Sequence, residues 1–183
     1  MLTDRLYFKQ LLSGEDFAKG DMIATQMRNF AYLIGDRETG DAVVVDPAYA
    51  AGELVDTLET DGMRLSGVLV THHHPDHFLG NQAFPADTLA ALPETIHGIA
   101  TEGGSLNENM YRLAGDWMAG TEPVAPARQL APGPLTMGNH RLDLIALDGH
   151  TEADLVIFDR STGVLFAGDL VFNGRTPTTP HAN

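Results

Sequence analysis

The chain has 183 residues, a length that suits a single compact domain, predicted here to span residues 1–183. Hydrophobic residues make up 43% and charged residues 20%, proportions that favour a globular protein over a disordered one. The longest apolar runs, such as residues 42–45, are too short to cross a bilayer, so no membrane partner is expected. Because the N-terminus shows no secretory signal, a cytoplasmic location is expected.

The charge and the cysteine count narrow the kinds of partner and metal site. A formal net charge of −14 argues against a nucleic-acid partner, because a phosphate backbone requires a dense basic face. The absence of cysteine excludes disulfides and every zinc site that needs a thiolate. Any metal must therefore be held by histidine and carboxylate, ligands that suit zinc, iron or manganese.

Strands dominate the first part of the chain. A strand is predicted at 29–35, and after a turn its antiparallel partner follows at 41–46. Leucine and valine at helical spacing predict a helix at 50–61, with Gly62 as its C-terminal cap. A further buried strand at 65–71 ends directly before a run of histidines.

The second part of the chain begins with a predicted helix and ends in strands. A capping-box pattern at 105–108 predicts the start of a helix that ends near Gly120, with one face formed by Leu106, Met110, Leu113 and Trp117. Residues 122–134 are predicted to be a connecting loop with one short strand. Three strands follow, at 141–147, 154–158 and 164–167, the last two joined as a hairpin. This order favours an α+β fold with two sheets sandwiched between helices.

The strongest chemical signal is the run from His72 to His77. Side chains alternate in an extended chain, so His72 and His74 point to the same side and can ligate one ion. The bend that follows lets Asp76 and His77 face a second ion, whereas His73 is predicted to be a supporting or surface residue. A merely polar loop is the alternative, but the run follows a buried strand, which favours metal ligands.

Two further candidate ligands stand at later strand ends. His150 follows Gly149, a residue that permits close approach of the backbone. Asp169 follows Gly168, and its carboxylate could bridge two ions about 3.5–4 Å apart. Each has an ordinary alternative as a hydrogen-bonded core histidine or a turn-forming aspartate. The run at 72–77 needs such partners, and this favours ligand roles for both. The isolated His97 and His140 are predicted to be surface or core residues.

The pattern His72-x-His74-x-Asp76-His77, with later Gly149-His150-Thr151 and Gly168-Asp169, resembles the signature of the metallo-β-lactamase superfamily. The resemblance implies an αββα four-layer sandwich with metals between the upper edges of the two sheets. It also implies that a first metal is bound by His72, His74 and His150, and a second by Asp76 and His77, with Asp169 bridging. Within the superfamily, residues 1 to about 75 resemble glyoxalase II and the related persulfide dioxygenases, whereas residues 107–120 and 167–181 are more similar to sulfur-oxidation-associated metallohydrolases.

One departure from the family concerns the C-terminal side. The family usually supplies a last histidine for the second metal there, but this sequence stops 14 residues past Asp169. The resemblance therefore implies a chain that lacks the usual C-terminal segment. His181 is the only late histidine, and it is predicted to be solvated. A second site that is weak, empty or completed by a partner chain is expected, together with a possible homodimer formed over an open sheet edge.

Three functional hypotheses follow. The first is a hydrolase that uses a metal-bound hydroxide on an ester, thioester or amide-like bond of a small-molecule substrate, with Asp76 as the catalytic residue that orients the water. Its cofactor would be one or two Zn²⁺ ions, with Fe or Mn as alternatives. The second is a mononuclear iron persulfide dioxygenase that uses His72, His150 and Asp169. The third is a catalytically silent metal-binding or interaction module.

Overall fold

The structure, a computed structural model, describes residues 5–172. Within that range the first sheet has the order β1-β2-β3-β4-β5-β6. Its strands are β1 (Leu6–Leu12), β2 (Phe30–Asp36), β3 (Asp41–Val45), β4 (Arg64–Val70), β5 (Leu89–Ala91) and β6 (Arg128–Gln129). The pairs from β1 to β3 are antiparallel, and those from β3 to β6 are parallel. Parallel strands end at a common edge, so β3 and β4 deliver the residues that follow them to the same place.

The second sheet is antiparallel throughout, with the order β10-β9-β8-β7 in the described range. Its strands are β7 (Gly133–Met137), β8 (His140–Leu147), β9 (Asp154–Asp159) and β10 (Val164–Phe166). The turn between β9 and β10 is closed by the backbone N–H of Gly163, which donates to the carbonyl of Asp159 at 2.8 Å. The hairpin predicted from the sequence is thereby confirmed.

The two sheets pack face to face over a shared apolar core. Because side chains alternate along a strand, every second residue of β2, β3, β8 and β9 points between the sheets. The first sheet contributes Tyr32, Ile34, Val43, Val45 and Leu69, and the second contributes Leu142, Leu144, Leu155, Ile157 and Phe166. This core fixes the distance between the sheets, and hence between residues placed on their ends.

Helices cover the other face and one edge of the first sheet. They are α1 (Met22–Met27), α2 (Ala51–Thr60), α3 (Pro75–Phe78) and α4 (Pro93–Ala114). The apolar side of α2 packs Leu54 and Leu58 into a second core cluster with Leu33 and Val44. None of the helices in residues 5–172 combines the length and the apolar character that crossing a bilayer requires.

The predicted start of the long helix is wrong. The helix begins at Pro93, and Ser105 lies in its interior, where its hydroxyl donates to the carbonyl of Glu102 at 2.8 Å. Proline at the first helical position needs no N–H partner and has a suitable φ, so Pro93 is the physical start signal. The helix also ends earlier than predicted, at Ala114, and Leu113 is 83% exposed instead of lying on the buried face.

The two sheets are joined by a hydrogen bond close to the histidine run. The N–H of Leu155, near the start of β9, donates to the carbonyl of Thr71 at 2.9 Å, and Thr71 is the residue directly after β4. The carboxyl end of β4 and the loop before β9 therefore meet at one edge of the sandwich. Residues 72–77 and residue 150 are brought together there.

Candidate metal centre

The structure places all six predicted ligands at this common edge. His72 and His74 directly follow β4, Asp76 and His77 lie on α3, His150 lies between β8 and β9, and Asp169 follows β10. Donor atoms of five of these residues, all except Asp76, form two groups that could hold a metal ion, and within each group these atoms lie within 4.8 Å of one another. One group is His72, His74 and His150, and the other is His72, His77 and Asp169. The proximity matches the sequence prediction, while the ligand roles stay a prediction.

Asp169 belongs to the second group and also lies close to the first. Its Oδ2 is 3.4 Å from Nε2 of His77 and 3.7 Å from Nε2 of His150. The two nearest nitrogens of the other group, Nδ1 of His74 and Nε2 of His150, are 2.9 Å apart. A carboxylate that approaches one imidazole of each group is well placed to contact two ions at once.

The ring of His72 is oriented by its neighbour in the chain. The hydroxyl of Thr71 donates to Oδ2 of Asp46 at 2.7 Å. The hydroxyl oxygen of Thr71 also lies 3.0 Å from Nδ1 of His72. Because the single hydroxyl proton is used, Nδ1 of His72 must be the donor, which leaves a lone pair on Nε2. That Nε2 is buried and has no hydrogen-bond partner among residues 5–172. A divalent cation would satisfy it, so these residues fit a metal.

Sequence reasoning missed Asp46, which holds Thr71 and His77 in place through hydrogen bonds. Asp46 has a φ of +56°, a left-handed conformation that is uncommon outside glycine and is tolerated by aspartate. Its carboxylate accepts from the backbone N–H of Thr71 at 2.8 Å and lies 3.0 Å from Nδ1 of His77. A carboxylate can only accept, so His77 donates from Nδ1 and turns Nε2 toward the site. The sequence signal was an aspartate directly before Pro47 at the end of a buried strand.

Sequence reasoning also missed Asn29 as a site residue. Asn29 lies directly before β2 and is buried, with 6% of its surface exposed. Its side-chain Nδ2 donates to the backbone carbonyl of Asp76 at 2.9 Å and to Oδ2 of Asp76 at 2.7 Å. Asp76 lies beside the second donor group, with its Oδ2 3.9 Å from Nε2 of His77. Asn29 thus fixes the orientation of the carboxylate that was predicted to handle the water.

Two histidines of the first group, His72 and His74, are held in the neutral form that a metal requires. Burial lowers the pKa of His72 well below its usual value, and the nearby imidazoles of His77 and His74 lower it further. Burial also lowers the pKa of His74 to about 4, reinforced by the imidazole of His150. Neutral imidazoles carry the lone pairs that bind cations, so at neutral pH these two histidines need no proton release to accept one.

The second group has the opposite electrostatic character. Burial alone would lower the pKa of His77, but the carboxylates of Asp46, Asp169 and Asp76 outweigh it and hold the pKa well above its usual value. Three carboxylates around one buried imidazole make this pocket strongly negative. The pocket therefore favours a positive charge, which a proton on His77 or a divalent cation can supply.

The other histidines lie outside both groups, as predicted. His73 points away from the site, and its ring lies against Gly98 of α4, where an added Cβ would come within 2.8 Å of it. Among the described residues, neither His97, which is exposed, nor His140, which is buried near Asp159, belongs to a metal-capable group. His181 lies outside the described residues.

Two glycines allow the loops to approach the site. Gly168, directly before Asp169, has a φ of +52°, which strains any side chain, and an added Cβ would lie 3.3 Å from the hydroxyl of Thr71. A Cβ at Gly149 would come within 2.6 Å of Leu170. The close backbone approach predicted beside His150 is confirmed.

The loop that carries His150 is held by a further carboxylate. Asp154 accepts from the backbone N–H groups of His150 and Thr151 at 2.8 and 3.0 Å, and from the hydroxyl of Thr151 at 2.9 Å. Asp154 is buried, with 3% of its surface exposed. The position of His150 is therefore set by hydrogen bonds within its own loop, independently of any metal.

The chain was compared with known proteins. It is 29% identical over 148 residues, 80% of its length, to hydroxyacylglutathione hydrolase from Thermosynechococcus vestitus. It is 32% identical over 147 residues to the enzyme of the same name from Synechococcus sp., again over 80% of its length. Each alignment covers 50% of the relative, so the chain spans about half the length of these curated relatives.

A solved structure supports the fold assignment. The BLEG-1 B3 metallo-beta-lactamase superimposes with a TM-score of 0.67 at 23% identity, covering 96% of this chain and 79% of that one. The α+β fold of the metallo-β-lactamase type, predicted from the sequence, is thereby confirmed. The family model described as the metallo-beta-lactamase superfamily matches residues 24–182, and the chain belongs to that superfamily.

Proposed function

We propose that this chain is a metal-dependent hydrolase that cleaves an ester or thioester bond of a small-molecule substrate. The observation that carries the proposal is the pair of donor groups that share His72 at the edge between the two sheets. Five histidine and carboxylate side chains from three separate parts of the chain converge there. The buried Nε2 of His72 has no hydrogen-bond partner among residues 5–172, which is costly unless a ligand uses it.

The donors suit one or two divalent cations of the zinc type. Imidazole nitrogen and carboxylate oxygen are ligands for zinc, iron and manganese, and the site offers no thiolate. A cation bound there would acidify water at neutral pH and polarise a carbonyl group. His72, His74 and His150 would hold the first cation, and His77 with Asp169 would hold a second.

Asp76 is the residue best placed to move a proton. Its carboxylate is 14% exposed, and Asn29 donates to its Oδ2 at 2.7 Å. A carboxylate held in this way beside the donor atoms can orient a water molecule and accept its proton as the nucleophile forms.

A cavity beside the site offers room for a substrate. It has a volume of about 570 Å³ and opens between β1, β2 and β10, with Asn29 and Asp169 on its wall. The remaining wall is largely aromatic and apolar, with Phe8, Phe30, Tyr32 and Phe166 among its residues. A small molecule with an apolar or acyl portion fits this lining. The thioester preference follows the relatives named hydroxyacylglutathione hydrolase, whose substrate is an acyl thioester.

The proposal is tested with the double substitution His72→Ala and His74→Ala in the full chain. Metal content is measured by elemental analysis, and hydrolysis is measured on a panel of acyl thioesters and esters. We expect metal content to fall below one ion per chain and hydrolysis to fall at least about 100-fold, because two ligands of the first cation are lost. His97→Ala, at an exposed residue outside both groups, is the matched control.

Unchanged metal content and unchanged hydrolysis in the double variant would refute the proposal. The wild-type measurements also separate it from the other two hypotheses. One iron per chain with no hydrolysis would indicate the oxygenase, and bound metal with neither reaction would indicate the silent module.

A further inference from the structure

The side chain of Asn29 occupies the space that faces the second donor group. Its Nδ2 lies 3.0 Å from Nε2 of His77 and 2.7 Å from Oδ2 of Asp76. We propose that Asn29 is a ligand of the second cation, which it binds through its side-chain carbonyl oxygen after the amide turns over. The inference rests on the proposed metal site and adds to it a residue that no pattern of histidines and aspartates in the sequence indicated.

The backbone of Asn29 is fixed, so only its side chain can respond to a cation. Its N–H donates to the hydroxyl of Ser13 at 2.9 Å, and its carbonyl accepts from the N–H of Ser13, also at 2.9 Å. The hydroxyl of Ser13 in turn donates to the carbonyl of Ala24 at 3.0 Å, and Ser13 is fully buried. These bonds hold the backbone of Asn29 in place beside the second donor group.

The distances from Nε2 of His77 to Asn29 and to Asp169 match the spacing of ligands in a coordination shell. Ligands that each lie about 2.0–2.2 Å from one ion are about 3–3.6 Å from one another. The amide group of Asn29 is 3.0 Å from Nε2 of His77, and Oδ2 of Asp169 is 3.4 Å from the same nitrogen. Oδ2 of Asp76, at 3.9 Å, needs only a small movement to join them.

The chemistry of the amide explains why it must turn. Without a cation, the N–H groups of Asn29 face the oxygens of Asp76, and they stabilise this negative pocket. With a cation there, the same N–H groups would face a positive charge. Rotation by about 180° exchanges nitrogen for oxygen in almost the same volume, because the two ends of an amide have nearly the same shape.

The ligands of the second cation would differ in chemical type from those of the first cation. The first group offers three imidazoles, whereas the second would offer one imidazole and three oxygens, from Asp76, Asp169 and Asn29. Oxygen-rich sites favour harder cations such as Mn²⁺ more than all-imidazole sites do. We therefore expect the two sites to differ in metal preference, with the second more tolerant of Mn²⁺.

The test measures binding of the metal alone and needs no substrate. Metal-free full chain is titrated with Zn²⁺ and with Mn²⁺ in competition with a chelator, and the number of ions and their affinities are obtained for each variant. Asn29→Ala removes the oxygen, and Asn29→Asp supplies a permanent one. Asn109→Asp, at an exposed residue of α4, is the matched charge control.

We expect wild type and Asn109→Asp to bind two ions with the same affinities. Asn29→Ala should weaken the second ion at least about tenfold and leave the first unchanged, while Asn29→Asp should bind both ions at least as tightly as wild type. An unchanged first ion in each variant also shows that the chain is folded.

Two outcomes would overturn the inference while leaving the proposed hydrolase intact. One is a wild-type chain that binds a single ion. The other is an Asn29→Ala variant whose second ion binds as tightly as in wild type, or more tightly, which would show that the amide obstructs the site. A wild-type chain that binds no ion would instead refute the proposed function itself.

Discussion

Asp46 shows how much of a metal site can depend on a residue that need not touch the metal. Its carboxylate receives hydrogen bonds from the backbone and hydroxyl of Thr71 and from Nδ1 of His77. Through these contacts Asp46 sets the tautomer of His77 directly and that of His72 through Thr71. The sequence alone does not show either contact. The strained backbone at Asp46 is maintained because these bonds stabilise it.

Asp46→Asn should weaken metal binding without disturbing the backbone, because asparagine tolerates the same left-handed conformation. The amide has one accepting oxygen in place of two, so at least one of the three hydrogen bonds is lost. We expect metal affinity to fall about 10–100-fold. The measurement is a Zn²⁺ titration in competition with a chelator.

The control for this substitution is Asp56→Asn, at an exposed residue of α2. It makes the same chemical change away from the site and should bind Zn²⁺ as the wild type does. Equal affinity in Asp46→Asn and wild type would show that Asp46 does not orient the histidines.

Site residues marked by a local sequence pattern were predictable, and those without such a pattern were not. His72 and His74 follow from the alternation of side chains after a strand, Asp76 and His77 from the bend at Pro75, and His150 and Asp169 from glycines at strand ends. Asp46 is 31 residues from His77, and Asn29 is 47 residues from Asp76. Asp46 and Asn29 reach the site only because β2 and β3 pack on the same side of β4, and a single sequence does not reveal that packing.

At the scale of elements, strands with a clear apolar run were predicted well and the long helix was not. The hairpins β2–β3 and β9–β10 match their predicted positions within one or two residues. The helix α4 is continuous through Gly103 and Gly104. Glycine disfavours a helix interior, so the sequence pattern indicated a break there. Gly103 is retained at a close contact, where an added Cβ would lie 3.0 Å from Pro123. Tertiary packing thus overrides local propensity in this helix.

The end of β2 carries an ion-pair cluster that ties both sheets together away from the metal centre. Asp36 accepts from Nε and Nη2 of Arg5 at 2.8 and 2.9 Å and from the N–H of Asn139, in the turn between β7 and β8, at 2.9 Å. The guanidinium of Arg5 lowers the pKa of Asp36 far below its usual value, although burial opposes this. The folded state therefore binds this proton much more weakly than the unfolded state.

Asp36→Asn should destabilise the fold by about 2 kcal/mol at pH 7, because charge-assisted hydrogen bonds are lost. The pKa of Asp36 is depressed in the folded state, so the wild type holds this stability above the unfolded pKa of about 3.9 and loses it as the pH falls below that value. The difference between wild type and variant should therefore be smaller at pH 3 than at pH 7. Urea unfolding at the two pH values measures it.

Asp87→Asn, at an exposed residue, is the control and should leave the free energy of unfolding unchanged at pH 7. A difference between wild type and Asp36→Asn that stays constant from pH 7 to pH 3 would contradict the role given to the charge of Asp36.

At the scale of the whole molecule, the charge balance makes a bound cation favourable. The chain carries 25 acidic and 11 basic residues, and three of the acidic groups surround the buried His77. Their mutual repulsion opposes folding, and a cation at the site relieves part of it. The possible homodimer stays a prediction, although exposed Leu147 and Leu165 leave apolar surface on the second sheet.

Removal of metal should lower the thermal stability of the full chain. A cation present at about 100 times its Kd stabilises the folded state by about 2.7 kcal/mol, which corresponds to about 5–10 °C in Tm for a chain of this size. We expect a chelator to lower Tm by that amount and added Zn²⁺ to restore it, as measured by circular dichroism. The variant with His72→Ala and His74→Ala should show neither change. A wild-type Tm that stays the same with chelator and with Zn²⁺ would contradict a metal site in the folded state.

The division of the donors between the two sheets has a consequence for evolution and engineering of the site. His72, His74 and His77 extend from the first sheet, whereas His150 and Asp169 belong to loops of the second. Their separation is determined by the volume of the side chains packed between the sheets, among them Leu69, Leu155 and Phe166. Enlarging or trimming such a side chain would slide the donor sets relative to each other, so the choice of metal can be tuned from positions that no ion ever touches.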